Sequence, residues 1–200
     1  MVKVRTYTRK YGLKGSGEHQ ASIGGVHTHA YQVWNDMINR CNAINKKRKQ
    51  ETYVGCTVCE EWMDFQNFAL WYQKNYYEID GCLMCLDKDI LIKGNKLYSP
   101  ETCCFVPQHI NNLFVRGNAI RGDYPIGVGY HKHSKKYRAS FKNGTGKAKH
   151  IGYFDDVASA FQAYKEHKEN YIKEVAEKYK GHLPNKVYRA MLNYKVEITD

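Results

Sequence analysis

The sequence has no apolar run approaching the ~18 residues needed to cross a bilayer. It has no strongly basic amphipathic helix and no lipidation signal, so a membrane surface is not the expected partner. The opening Met1-Val2-Lys3-Val4-Arg5 lacks the apolar stretch of a secretory leader, and a cytoplasmic location is expected. Cysteines number seven, an odd count that fits a disulfide framework poorly; in a cytoplasm they are thiols or metal ligands. There is no repeat of solenoid length and no recognisable RNA-binding motif. Acidic residues are the scarcer charge, 20 Asp and Glu against 31 Lys and Arg, leaving +11 at pH 7.

That excess is the first positive signal. Each Lys or Arg placed on a phosphate releases condensed counterions, so such a chain favours a polyanion. With the membrane set aside, the expected polyanion is nucleic acid. At 200 residues the chain suffices for one large domain or two small ones. Its 17 tyrosines and 42% hydrophobic content can fill modest cores.

Residues 1–27 are rich in Gly, Lys and Thr and read as a flexible basic arm. Tyr31, Trp34, Met37, Ile38 and Cys41 recur at helical spacing and predict a helix over 29–43. Lys46-Lys47-Arg48-Lys49 follows in a loop, either as a solvated charge run or as a phosphate contact. A second helix is predicted over 60–73, with Trp62, Phe65, Phe68, Ala69 and Tyr72 as its buried side. Asp80-Gly81 turns the chain into a strand over 86–91, and Gly94-Asn95-Lys96 makes the next turn. A second strand is predicted over 103–106. Pro107 suits the first position of a short helix, where its missing N–H does no harm; that helix carries Ile110, Asn111, Leu113 and Phe114. Residues 116–125 contain Gly and Pro without periodicity and form the predicted linker.

Hydrolysis of a phosphodiester needs an activated water, a cation to neutralise developing charge, and in-line geometry. Magnesium takes carboxylate and amide oxygens and keeps several waters. Asp87 on a strand and Asn111 on a following helix, 24 positions on, suit such a centre. The other reading makes Asp87 and Asp89 surface acids and Asn111 a helix cap.

The segment 86–111 resembles the HNH, or ββα-metal, nuclease motif of phage homing endonucleases. Upstream, Tyr31-x-x-Trp34-x-x-Met37 with Arg40-Cys41, then Val58-Cys59-Glu60-Glu61-Trp62 and Phe65-x-x-Phe68, match as well. Their order and spacing carry the resemblance, over roughly 30–115. It implies that Asp87 and Asn111 bind Mg2+ or another divalent cation such as Mn2+. In that family the residue after the Asp is normally a His acting as general base; here it is Lys88. Burial beside a cation lowers a lysine pKa, which would let Lys88 act as the base; otherwise it stabilises phosphorane charge. His109 lies two positions from Asn111, about 200° around a helix, and is the poorer candidate base. Thr102 stands where the family often has an orienting Asn.

Cys56-x-x-Cys59 and Cys82-x-x-Cys85 offer four ligands for a structural Zn2+. The 22 residues between the pairs slightly exceed the usual spacing of about 15–20. The alternative makes these thiols core residues, as expected for Cys41, Cys103 and Cys104.

The last third has a different rhythm. Strands are predicted over 127–132, 137–142 and 150–154, with Asn143-Gly144 as a hairpin signal. Asp155 or Asp156 caps a long helix with Val157, Ala158, Phe161, Tyr164, Tyr171 and Val175 inward; Gly181 ends it, and a short helix over 183–194 closes the chain. Lys136, Arg138, Ser140 and Lys142 share one face of the middle strand; Tyr137, Ala139 and Phe141 share the other. A basic sheet face can enter the major groove, with Arg138 the candidate for guanine and Lys136 and Lys142 for phosphates. Lys149 and His131 complete the candidate DNA contacts.

Gly127-Val128, Tyr137-Arg138-Ala139, Ile151-Gly152-x-Phe154 and Val157-Ala158-x-Ala160 resemble the plant ethylene-response-factor (Apetala-type) DNA-binding domain over about 126–180. Where that family often has Arg on its first strand, this chain has Gly129 and His131.

The expected fold is therefore α+β: a flexible arm over 1–27, an HNH-like nuclease domain over 28–115, a linker over 116–125, and a sheet-on-helix DNA-binding domain over 126–200. The expected activity is site-specific, metal-dependent cleavage of double-stranded DNA, by nicking or double-strand break. A monomer suffices for a nick, and the host cytoplasm is the setting if the gene is a phage's. The alternative is a non-catalytic phage DNA-binding or regulatory protein with a degenerate HNH fold.

Overall fold

The computed structural model describes residues 14–15, 17–42, 53–115, 123–146 and 148–200. The first thirteen residues of the expected arm, the basic run 46–49 and linker residues 116–122 lie outside the described residues. The chain divides into two compact units: Met1–Glu78 with Leu86–Phe105, and Ile79–Cys85 with Val106–Asp200.

In the first unit, a short hairpin of β1 (Ser22–Ile23) and β2 (Val26–His27) leads into α1 (His29–Cys41). Thr28 caps α1 by accepting from the Tyr31 amide, and the predicted stripe of Tyr31, Trp34, Met37 and Ile38 is buried. The helix expected over 60–73 is two pieces: a 3-10 turn, Glu61–Met63, and α2 (Phe65–Asn75). The break has a local cause. The Asp64 carboxylate accepts from the Gln66 amide at 2.8 Å, capping a helix that starts there. Trp62 stays buried, its carbonyl accepting from Trp34 Nε1 at 2.7 Å, and Phe65 packs edge-on to Tyr31 and Trp34.

Two-residue strands β3 (Thr57–Val58) and β5 (Leu97–Tyr98) pair in parallel, Thr57 with Leu97 and Val58 with Tyr98. Between them in sequence lies β4 (Met84–Asp87), which forms a two-stranded sheet with β6 (Cys104–Pro107). Strand β4 stops at Asp87, short of the expected 91, because the Asp87 carboxylate accepts from the Asp89 and Ile90 amides and turns the backbone. Pro107 closes β6 and precedes α3 (Gln108–Phe114) rather than opening it.

The second unit contains α3 and the expected antiparallel sheet, in order β7 (Val128–His131), β8 (Lys136–Lys142), β9 (Ala148–Phe154). Its inner face packs on α4 (Val157–Lys178) through Ala139, Phe141, Ala160, Phe161 and Tyr164. Asp156 is the α4 cap, accepting from the Ser159 amide at 2.8 Å. The closing helix α5 (Asn185–Leu192) is shorter than predicted because Pro184 precedes it and Asn193 ends it. Glu169 on α4 accepts from the Val196 amide at 2.8 Å and pairs with Lys165 at 3.2 Å, which fixes the last residues to the helix. Burial pushes the Glu169 pKa up, but these donors outweigh it and hold the carboxyl below its ordinary range.

One glycine pins sheet to helix. Gly127 has φ +80°, and a Cβ there would sit 2.0 Å from the Tyr164 ring. Gly127→Ala combines left-handed strain with that clash. It is expected to destabilise the protein by on the order of 2 kcal/mol, read as a lower midpoint in urea with an unchanged slope.

Candidate metal centre and nucleic-acid interface

Asp87 ends β4 inside the first unit and is 8% exposed. Its Oδ1 accepts from the Asp89 and Ile90 amides at 2.8 and 2.7 Å. Burial, and then the neighbouring Asp89 carboxylate, push its pKa up to about 7, against those two amides. The fold thus holds a carboxyl where its charge is disfavoured.

Lys88 is also 8% exposed. Its Nζ pairs with Asp89 Oδ2 at 3.2 Å and lies 5.9 Å from the centre of the Tyr98 ring. Asn95 braces the loop between them, donating from Nδ2 to the carbonyls of Lys88 and Leu97, both at 2.7 Å. Thr102 is consumed in a turn: Oγ1 donates to the Leu97 carbonyl at 2.7 Å and accepts from the Ser99 amide at 3.1 Å. It shapes the β5–β6 connection instead of presenting an amide.

Asn111 is half-buried on α3, in the second unit. On the same helix the His109 ring packs at 5.3 Å from Tyr179, and burial, then Lys178, lower its pKa. Asn112, one position past Asn111, donates to the Gly144 carbonyl at 3.0 Å. These contacts give α3 a role in the second unit's packing.

Two carboxylates, Asp87 and Asp89, one buried and one half-buried, fit a hard oxygen-seeking cation that keeps most of its waters. Among the described residues, no group of three or more His, Cys, Asp or Glu side chains is arranged to hold a metal ion. The expected zinc ligands have separate surroundings. Cys56 is buried and Cys59 half-buried in the first unit, and burial raises both thiols. Cys82 and Cys85 are half-buried in the second, where Cys82 hydrogen-bonds Tyr179.

The outer face of the three-stranded sheet carries most of the expected DNA contacts. Lys136, Arg138 and Lys142 are exposed on it and Ser140 is half-buried. Register puts His131 beside Lys136, and sets Tyr153 opposite Arg138 and His150 opposite Ser140. Tyr153, 44% exposed, packs between the His131 and His150 rings at 5.0 and 4.7 Å. Lys136 pairs with exposed Asp155 at 3.0 Å, which leaves Arg138 and Lys142 the stronger cations here.

Lys149 departs from the expectation. A bulge at Ala139/Ser140 shifts β9, so Lys149 stands opposite Phe141, on the side of the sheet that faces α4. The same bulge places His150 opposite Ser140, which strict alternation cannot anticipate; Tyr153, opposite Arg138 ahead of the bulge, was simply not read as a contact. Asp89 was read only as a surface acid.

Among the described residues, no helix is long and apolar enough to cross a membrane. No protein-family model, curated protein or solved structure matches the chain.

Proposed function

We propose that the chain binds double-stranded DNA through the β7–β9 sheet and hydrolyses phosphodiesters at a divalent-cation centre anchored by Asp87. The observation that carries the reading is the buried Asp87 carboxyl, held beside Asp89 and Lys88 at the end of a strand. A cation relieves the repulsion between two such carboxylates, and Mg2+ or Mn2+ bound there would neutralise phosphate charge and acidify water. Lys88 supplies a fixed positive charge toward the reacting phosphate. Asn95 and the Asp87 turn hold this arrangement before substrate arrives. Water attacks phosphorus, the bond to the 3′ oxygen breaks, and that oxygen takes a proton. The ends are a 5′-phosphate and a 3′-hydroxyl.

Asn111, the second ligand of the homing-endonuclease reading, stays part of the proposal as a separate variant. The rival reading, a non-catalytic DNA-binding protein, is favoured by Thr102, whose hydroxyl is spent in its own turn. Supercoiled plasmid incubated with Mg2+ or Mn2+ separates the two. Wild type is expected to nick it and Asp87→Ala to leave it intact. Cleavage by both proteins refutes the assignment of Asp87; cleavage by neither supports the rival. Asn111→Ala is expected to match Asp87→Ala if that amide is a ligand.

A further inference from the structure

On α1, one residue from its end, Arg40 reaches Tyr98. Its guanidinium lies 5.5 Å from the centre of the Tyr53 ring and hydrogen-bonds the Tyr98 side chain. Lys88 Nζ approaches the same Tyr98 ring at 5.9 Å. Two cations from distant parts of the sequence thus share one buried tyrosine, 2% exposed, within the first unit. Asp89 answers Lys88 at 3.2 Å. The carboxylate acting on Arg40 is Asp36, one helical turn earlier and exposed. Burial keeps the Tyr98 phenol neutral, so it orients the guanidinium without cancelling its charge. A guanidinium fixed by a phenol on a rigid helix end is prepared for bidentate contact with a phosphate.

We propose that Arg40, together with Lys88 across the Tyr98 ring, forms a phosphate-binding subsite that grips the DNA backbone beside Asp87. The inference deepens the nuclease reading by naming the group that receives substrate. The alternative is that Arg40 only braces Tyr53 and Tyr98.

Duplex binding by the full chain, measured in EDTA over a range of salt, tests it without relying on cleavage. Arg40→Gln is expected to flatten the slope of log affinity against log salt by about 0.9, the share of one phosphate contact. Arg40→Lys keeps the charge and is expected to restore the slope. Under Mg2+, Arg40→Gln should raise KM about 10-fold with little change in kcat. An unchanged slope in a folded Arg40→Gln protein overturns the subsite. Should that variant not fold, the Arg40 side-chain N–H resonance of wild type decides, titrated with the duplex: it moves if phosphate binds and stays if Arg40 is a brace. A wild type that binds and never cleaves would sink the nuclease reading, while the slope comparison still decides Arg40.

Discussion

Asp87→Asn is expected to abolish metal-dependent cleavage and, in the same tube, to make the metal-free protein more stable at pH 8. The two effects have one cause. The Asp87 pKa is raised to about 7 by burial and by Asp89, whereas in the unfolded chain it lies near ~4. Between these values the unfolded state has released its proton and the folded state has not. Stability therefore falls as pH rises through that window. The penalty is absent below ~4 and complete above about 7. Asparagine carries no charge but retains the oxygen that accepts from the Asp89 and Ile90 amides. The variant should gain on the order of 2 kcal/mol at pH 8, several degrees in Tm, and nothing at pH 4. Millimolar Mg2+ should raise the wild-type Tm at pH 8 and leave Asp87→Asn unmoved, since a ligand stabilises only the state that binds it. Equal Tm values at pH 8 would remove the claim that Asp87 is held in a strained ionisation state.

The second large effect concerns the sheet. Arg138→Ala with Lys142→Ala removes two exposed cations from its outer face. Duplex affinity is expected to fall at least ~10-fold at moderate salt, and the salt slope by about 0.9, the share of Lys142 on a phosphate. Arg138→Ala alone should also relax sequence preference if its guanidinium reads a guanine. Lys149→Ala removes the same charge from the side shared with Phe141 and is expected to change affinity much less. Filter binding or fluorescence anisotropy on one duplex compares all of them. Equal losses from Lys149→Ala and Arg138→Ala would mean that general charge, not this face, binds DNA.

How far the sequence discloses this arrangement varies by element. The β7–β9 sheet and α4 were legible because Tyr137 to Lys142 alternates cleanly and Val157 to Tyr164 keeps helical spacing; one periodicity meets the other in a shared core. The β8–β9 bulge was not legible, and it alone moved Lys149 to the other side. In the first unit the aromatic stripes located both helices, but the Asp64 cap that divides the second competes locally with helical pattern. Strands β1, β2, β3 and β5 have two residues each, too short for any periodicity to register.

At the candidate centre, Asp87 and Lys88 were legible as residue types in order. Their burial was not, and neither was the service of the Asp87 carboxylate as a turn. The approach of Arg40 to Tyr98 joins positions 58 apart in sequence, which spacing cannot reveal.

Direct titration with Mn2+, read from its electron spin resonance, addresses the cation itself. Wild type should quench the free-ion signal at about one equivalent with millimolar affinity or better, weakening as pH drops below 7 and Asp87 takes up its proton. Asp87→Asn, folded and DNA-binding, should leave the free-ion signal untouched. Identical titrations for the two proteins would mean that no catalytic ion is anchored at the end of β4.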